Sequence, residues 1–358
     1  MLRASAWQRR AVDKGPQVWA VAGGKGGVGK SVVAANMALC VAQQGLRCLL
    51  VDADLGGGNQ HTLFGERMPD GSLDAYVAGE SPDFAGALKP SRFPGLTLSY
   101  TRCDALGAAN PKHSQKQKLI RQLSRAEYDV VVLDLGAGTS FNTLDLFLSA
   151  RVRVVVTTPE PTAVQNAYGF IKCAAQRNAA KPEAGPLAPR VLVNMATRDE
   201  SDYVFSALSA VTTAFLGRAP YWAGCVRKDV AVPLSVRRGE PLLSHAPGSA
   251  SAQDLMQITA SFLEESFESV RHSLSPSHSR GLNEELRVGS RLLHIQTEDL
   301  GEKKGHVRTQ VFEGGRVIFS KELAYGAKLS DGRVLSRQQQ VEYQHRVIAK
   351  ALLERRVG

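Results

Sequence analysis

The chain has 358 residues, more than one hydrophobic core usually organises, so a large domain with a smaller companion is expected. Apolar residues make up 43%, no apolar run nears the length of a membrane-spanning helix, and residues 1–10 lack the apolar stretch of a signal peptide; a cytoplasmic globular protein is expected. A net charge of +10 suits an acidic partner such as nucleic acid, an anionic membrane or a nucleotide, while the five cysteines (Cys40, Cys48, Cys103, Cys173, Cys225) form no CxxC pair, which argues against zinc-knuckle, iron–sulfur or thiol-redox chemistry.

The first element, Gln17–Ala22 (QVWAVA), reads as a buried strand and runs into GGKGGVGKS at residues 23–31. This is the phosphate-loop pattern GxxxxGK[ST], with Gly24, Gly29, Lys30 and Ser31 at its fixed positions. Residues 31–44 then form an unbroken helical pattern ended by Gly45, where a C-cap glycine belongs. Strand, glycine loop and helix together put the backbone N–H groups of Gly26, Gly27, Val28, Gly29 and Lys30 around phosphate at a helix N-terminus. Lys30 would neutralise the terminal phosphates and the Ser31 hydroxyl would ligate Mg2+. An ordinary phosphate loop has no need of a second lysine, and Lys25 is badly placed to curl over its own nucleotide. Its natural use is to reach a nucleotide held by a second copy.

Residues 47–51 form a second strand leading into Asp52 and Asp54, and residues 96–100 a third. A basic helix over residues 115–125 precedes the most apolar strand, 129–133, which leads into Asp134 and Gly136-Ala137-Gly138, an arrangement of Walker B type. Carboxylates at strand ends lie where open parallel sheets bind ligands, so Asp52, Asp54 and Asp134 are candidates for magnesium and for positioning an attacking water. Strands at Val152–Thr157 and Arg190–Asn194 alternate with helices at 163–180 and 202–215, and a helix at 252–270 closes the domain. The fold class is α/β: a P-loop NTPase with a mostly parallel sheet and helices on both faces. The expected division is an ATPase domain over residues 1–272, a serine-rich linker over 273–281 and a small α+β adaptor module over 282–358. In the module, residues 291–296, 306–312 and 316–323 read as strands, the last two joined through Glu313-Gly314-Gly315. A final helix over residues 336–356 carries apolar Val341, Val347, Ile348, Ala351 and Leu352 beside Arg337, Arg346, Lys350, Arg355 and Arg356. With no tryptophan or phenylalanine anchor and only a narrow apolar stripe, packing on the small sheet is favoured over an anionic membrane.

Taken together, these residues resemble the deviant-Walker ATPases of the MinD/ParA class. Lys25 matches the signature lysine, VDADLGGGN (residues 51–59) the first switch, DLGAG (134–138) the second, and VLVN (191–194) the place where an asparagine, here Asn194, reads adenine. TTPEPTAVQNAYGFIK (157–172) is similar to the FlhG-type regulators of flagellar number and placement, and residues 224–252 to the last characteristic segments of the class. The resemblance implies an enzyme that hydrolyses ATP with Mg2+, slowly unless a protein effector stimulates it, and that forms a homodimer with ATP bound. Lys25 would then contact the α- and γ-phosphates of the partner subunit's ATP, Asp54 would position water, Asp52 would lie near magnesium and Asp134 would hold a magnesium-bound water. Such a switch positions a cellular structure, flagellar, polar or division machinery, with peripheral contact at the membrane or a cell pole. The alternative is a ParA-like partition ATPase binding non-specific DNA through Arg227, Lys228, Arg237 and Arg238. The chain departs from the class in three places: no DQAxxLR-like segment in residues 1–16, an added module in place of a short membrane helix, and Leu135-Gly136-Ala137 where partition ATPases carry two prolines. A metal-cluster carrier is disfavoured by the missing CxxC.

Overall fold

The computed structural model describes residues 15–55, 57–67, 71–81, 83–102, 111–180, 187, 189–274, 282–288, 291–300, 305–313, 316–326, 335 and 337–354, with side chains on the long helix at 250–274 described to residue 267. The chain divides into two compact units, Met1–Val270 and Arg271–Gly358.

In the first unit the elements run β1 (Gln17–Ala22), α1 (Lys30–Gln43), β2 (Cys48–Ala53), α2 (Gln60–Leu63), α3 (Leu73–Ala78), β3 (Lys89–Pro90), β4 (Leu96–Ser99), α4 (His113–Ser124), β5 (Val130–Leu135), α5 (Phe141–Ser149) and β6 (Val152–Thr157). They continue through α6 (Pro161–Ala179), β7 (Arg190–Asn194), α7 (Arg198–Leu216), β8 (Tyr221–Val226), α8 (Ala231–Arg238), α9 (Leu242–His245) and α10 (Ala250–Leu274). The sheet order is β3-β4-β2-β5-β1-β6-β7-β8, parallel throughout except for the β3 edge. Alternation within each strand splits its side chains between two cores. Trp19, Val21, Leu50, Val130 and Val132 join α1, α9 and α10 on one face. Ala20, Ala22, Leu49, Val51, Val131 and Leu133 join α3 to α7 on the other. Burial on both faces explains the near-continuous apolar strands.

Local chemistry sets the helix ends. Thr197 and Glu200 form a capping box at the start of α7, and Pro161 sits at the start of α6, where its missing N–H costs nothing. Gly45, at φ 80°, follows α1 as its pattern required.

The second unit is an antiparallel meander, β9 (Leu282–Val288), β10 (Arg291–Asp299), β11 (His306–Glu313) and β12 (Arg316–Ala324), with α11 (Arg337–Leu353) against it. Leu286, Leu293, Ile295 and Val311 meet Ile348, Ala349 and Leu352 in its core. Deeper in, the Thr297 hydroxyl bonds Thr309 Oγ1 at 2.8 Å and His345 Nδ1 at 2.9 Å, and His345 Nε2 reaches Glu284 at 3.1 Å.

Two expectations need correcting. Helix α10 runs to Leu274, so Ser273 is helical; residues 275–281 of the expected linker lie outside the described residues, as do 314–315, 355–356 and Cys103. Within the final helix, Val341, Ile348 and Leu352 are buried but Val347 is 40% exposed, so the stripe against the sheet is narrower than its sequence suggests. Strand β9 was not anticipated. Among the described residues, no helix is long and apolar enough to cross a membrane.

Candidate nucleotide and metal site

The phosphate loop leaves the C-terminal end of β1, between β5 and β6, where strand order reverses and open sheets place their ligands. Its conformation depends on glycine. Gly29 has φ 90°, and a side chain there would strike the Asn194 carboxamide, which donates to the Val28 carbonyl at 2.9 Å. Asn194 thus braces the loop itself, a contact its adenine role did not suggest. A side chain on Gly26 or Gly27 would meet nothing within 4 Å, so the loop is open on that side.

The two lysines of the loop are placed oppositely. Lys30 turns inward, 8% exposed, with Nζ 3.4 Å from the Lys25 carbonyl. Burial lowers its pKa, against the opposing pull of Asp134 and then Asp54. Lys25 turns outward: its ammonium donates to Glu160 Oε2 at 2.9 Å and Thr162 Oγ1 at 3.0 Å, on the turn entering α6. That turn belongs to the TTPEPT run, whose sequence alone gives no sign of a contact with the phosphate loop.

Parallel pairing of β2 with β5 sets Asp52 directly beside Asp134. Both are fully buried, 0% and 1% exposed. Asp134 accepts from the Ser31 hydroxyl and, at 2.8 Å, from Gln60 Nε2; Asp52 Oδ2 accepts the Gln60 backbone N–H at 2.9 Å. Desolvation, then the Asp134 charge, drives the Asp52 carboxyl above the ordinary carboxylate range; desolvation likewise raises Asp134 despite Ser31, Gln60 and Lys30. One oxygen of each, Asp52 Oδ1 and Asp134 Oδ1, is buried with no hydrogen-bond partner among the described residues. Two adjacent carboxylates with unsatisfied oxygens beside a hydroxyl form a hard-oxygen donor set, the chemistry that Mg2+ takes. The residues present therefore fit a magnesium ion.

Asp54 is half-buried past the end of β2 and packs on the second switch, where a Cβ on Gly136 would come within 2.8 Å of Asp54 Oδ1. The glycine is what lets the two switches meet.

The candidate DNA face is less uniform than the sequence suggested. Arg227 is committed to Asp254 through a bidentate pair, at 2.8 and 2.7 Å, whereas Lys228, Arg237 and Arg238 are exposed. The residues that sequence reasoning missed are Gln60, Glu160 and Thr162. Gln60 adjoined a quoted switch motif, and Glu160 and Thr162 lay inside a quoted segment, but only tertiary contact gives them a role.

A model of the ParA family, described as NUBPL iron-transfer P-loop NTPase, matches residues 15–262. The antiactivator FleN of Pseudomonas aeruginosa is 32% identical over 241 residues, covering 66% of this chain and 82% of FleN. Among solved structures, the Mg-ADP complex of the septum site-determining protein MinD from Pyrococcus horikoshii superposes with a TM-score of 0.58 at 18% identity, covering 70% of this chain and 97% of that one. MinD in the MinC:MinD complex of Aquifex aeolicus gives 0.56 at 20% identity, covering 69% and 96%. A family match spanning most of the first unit, joined to a loop, a buried lysine and a paired-carboxylate site in matching order, has one meaning: the chain belongs to the ParA family of P-loop NTPases and is an ATPase that works with ATP and Mg2+.

Proposed function

We propose that the protein is an ATP-gated dimerising switch that regulates the placement or number of a cellular structure. The observation that carries this reading is the opposed pair of loop lysines. Lys30 is committed inward, to its own site; Lys25 is committed outward, to Glu160 and Thr162. A cation held at the mouth of the site on an exposed acid can be passed to a stronger anion, and the triphosphate of a facing copy is such an anion.

In the ATP state the backbone of Gly24, Gly26, Gly27, Val28 and Gly29 cradles the phosphates and Lys30 neutralises them. Ser31 and Asp52 would hold Mg2+, Asp134 would hold one of its waters, and Asn194 would stand at the adenine side. When bound, the metal offsets charge on the transferring phosphoryl group. Asp54 positions the attacking water, and its packing on Gly136 ties that water to the second switch. Hydrolysis removes the two γ-phosphates, each engaged by the Lys25 of the facing copy, so the dimer loses both bridges.

The relatives named above supply the cellular side of the reading: an antiactivator, and septum site-determining proteins, one of them seen with MinC. We place the protein with regulators of flagellar, polar or division machinery, acting with a protein effector that stimulates hydrolysis. Residues 282–358 would be an adaptor for a second protein, attached to an ATPase domain over residues 1–272.

Sedimentation tests the switch. Wild type should dimerise with ATP and not with ADP, whereas Lys25→Ala should bind ATP as a monomer and neither dimerise nor turn it over. A normal dimer with normal turnover makes Lys25 an ordinary surface lysine. Co-sedimentation with anionic vesicles and with plasmid DNA, each with ATP and ADP, separates the positioning switch from a partition ATPase. ATP-dependent DNA binding that is lost with Lys228, Arg237 and Arg238 would favour the latter.

A further inference from the structure

Gln60, the first residue of α2, is 1% exposed and touches three parts of the site at once. Its backbone N–H donates to Asp52 Oδ2 at 2.9 Å. Its side-chain nitrogen donates to Asp134 Oδ2 at 2.8 Å and to the Ser31 carbonyl at 3.1 Å. One residue therefore joins the first switch to the Walker B carboxylate and to the first turn of the phosphate-loop helix. Its remaining polar atom, Oε1, is buried with no hydrogen-bond partner among the described residues.

That leftover oxygen argues against a purely packing role. Turning the amide over would set Oε1 against the Asp134 carboxylate, so Asp134 fixes the orientation and leaves the oxygen facing no donor. An unmatched buried carbonyl is costly, and an apolar side chain of the same length would fill the volume without it. Two more oxygens in the same cluster, Asp52 Oδ1 and Asp134 Oδ1, are left unmatched in the same way. What would satisfy all three is a cation carrying water. Mg2+ keeps much of its hydration shell, and such waters donate to nearby carbonyl and carboxylate oxygens.

We propose that Gln60 is a positioning residue of the magnesium site, holding Asp134 through its amide nitrogen and accepting from a metal-bound water through its amide oxygen. This rests on the reading of the site as one for ATP and magnesium, and adds a residue to it. Because Gln60 opens α2 directly after the first switch, the metal shell also pins that switch to β5.

The test uses the full chain with ADP and Mn2+ as a paramagnetic stand-in for magnesium. Gln60→Met keeps the length and removes the amide. With EDTA present its ADP affinity should match wild type, while Mn2+ binding to the ADP complex weakens about tenfold, the low end for losing an outer-shell partner. At saturating Mg2+ the KM for ATP should stay near wild type, and the activity deficit should shrink as Mg2+ is raised. Mn2+ affinity within about twofold of wild type overturns the assignment. If the wild-type ADP complex itself binds no Mn2+, the magnesium reading of the site falls and takes this proposal with it. Should Gln60→Met fail to fold, the wild-type protein decides: the Gln60 side-chain amide resonances should shift between ADP with EDTA and ADP with Mg2+, and resonances that stay in place refute the proposal.

Discussion

Asp52 gives the sharpest test of the site, because removing it should stabilise the nucleotide-free protein. Asp52 and Asp134 lie in register on neighbouring strands, both fully buried, and Lys30 interacts with Asp134. Both carboxyls are raised, Asp52 by burial and then by Asp134. The folded chain thus keeps protons that the unfolded chain releases, and stability falls as pH climbs from about 4 through the raised values. An uncompensated buried charge costs roughly 3–5 kcal/mol. Partial protonation near neutral pH and the Gln60 N–H reduce that to about 2 kcal/mol for Asp52. Asp52→Asn keeps an oxygen for the Gln60 N–H and deletes the charge. For a unit of this size about 2 kcal/mol corresponds to a Tm higher by roughly 4–8 °C. Thermal denaturation in EDTA at pH 6 and pH 8.5 should show the gain growing with pH. Added Mg2+ and ADP should then raise the wild-type Tm more than that of the variant. A variant less stable than wild type at pH 8.5, or one whose Tm tracks wild type at both pH values, would show that the Asp52 charge is already compensated in the folded chain.

Lys30→Ala should weaken ATP binding by roughly 100-fold or more, since a buried phosphate charge loses its counterion; near-native affinity by calorimetry would remove Lys30 from the site. Asp54→Ala should keep ATP, lose turnover by about 100-fold or more and accumulate dimer, so a variant that stays monomeric with ATP while wild type dimerises argues against a water-positioning role. Glu160→Gln releases Lys25 from an exposed pair, 38% and 66% accessible. With two such pairs broken per dimer, ATP-dependent association should tighten about 2- to 30-fold, and weaker association in sedimentation would place Glu160 in the interface instead. A chain ending at Leu274 should remain soluble and bind nucleotide but lose cellular positioning; failure to bind ATP would make the C-terminal unit part of the enzyme's core.

Much of the architecture was legible because its strands are buried on both faces. Gln17–Ala22, Val152–Thr157 and Arg190–Asn194 were read to the residue, since continuous apolar runs between polar breaks leave little freedom of boundary. Strand β8 escaped notice because Tyr221 and Trp222 lie exposed at a sheet edge and its pairing slips between Val191 and Leu192. Strand β9, LNEELRV, begins right after the serine-rich run and carries four polar residues in seven, so it reads as loop. Helix α5 was passed over because FNTLDLFLS follows the second switch at once; only the Ser140 cap, accepting from the Thr143 N–H, marks its start. The phosphate loop and the three aspartates were visible because their chemistry is written in local spacing. Glu160 and Thr162 were not, because Lys25 lies 135 and 137 residues away, nor was Gln60, whose contact with Asp134 spans 74 residues.

The placement of the two lysines also bears on how the proposed switch would rest in a separated state. Lys30 is buried and electrostatically coupled to Asp134 and Asp54, which ties it to its own site. Lys25 can leave, because its partners Glu160 and Thr162 are exposed and an exposed pair is worth little. Its hold is therefore strong enough to occupy the lysine when no triphosphate faces it, yet weak enough to yield to the larger charge of one that does. Gly24 packs against the Asn166 carbonyl one turn into α6, so the loop bearing Lys25 and the helix bearing Thr162 are in close backbone contact. Strengthening the pair by burying it would trap the monomer, while deleting it would let chains associate at lower ATP occupancy. On the proposed reading, a marginal, solvent-screened contact would make association depend on nucleotide at both sites, and that dependence separates a switch from a constitutive dimer.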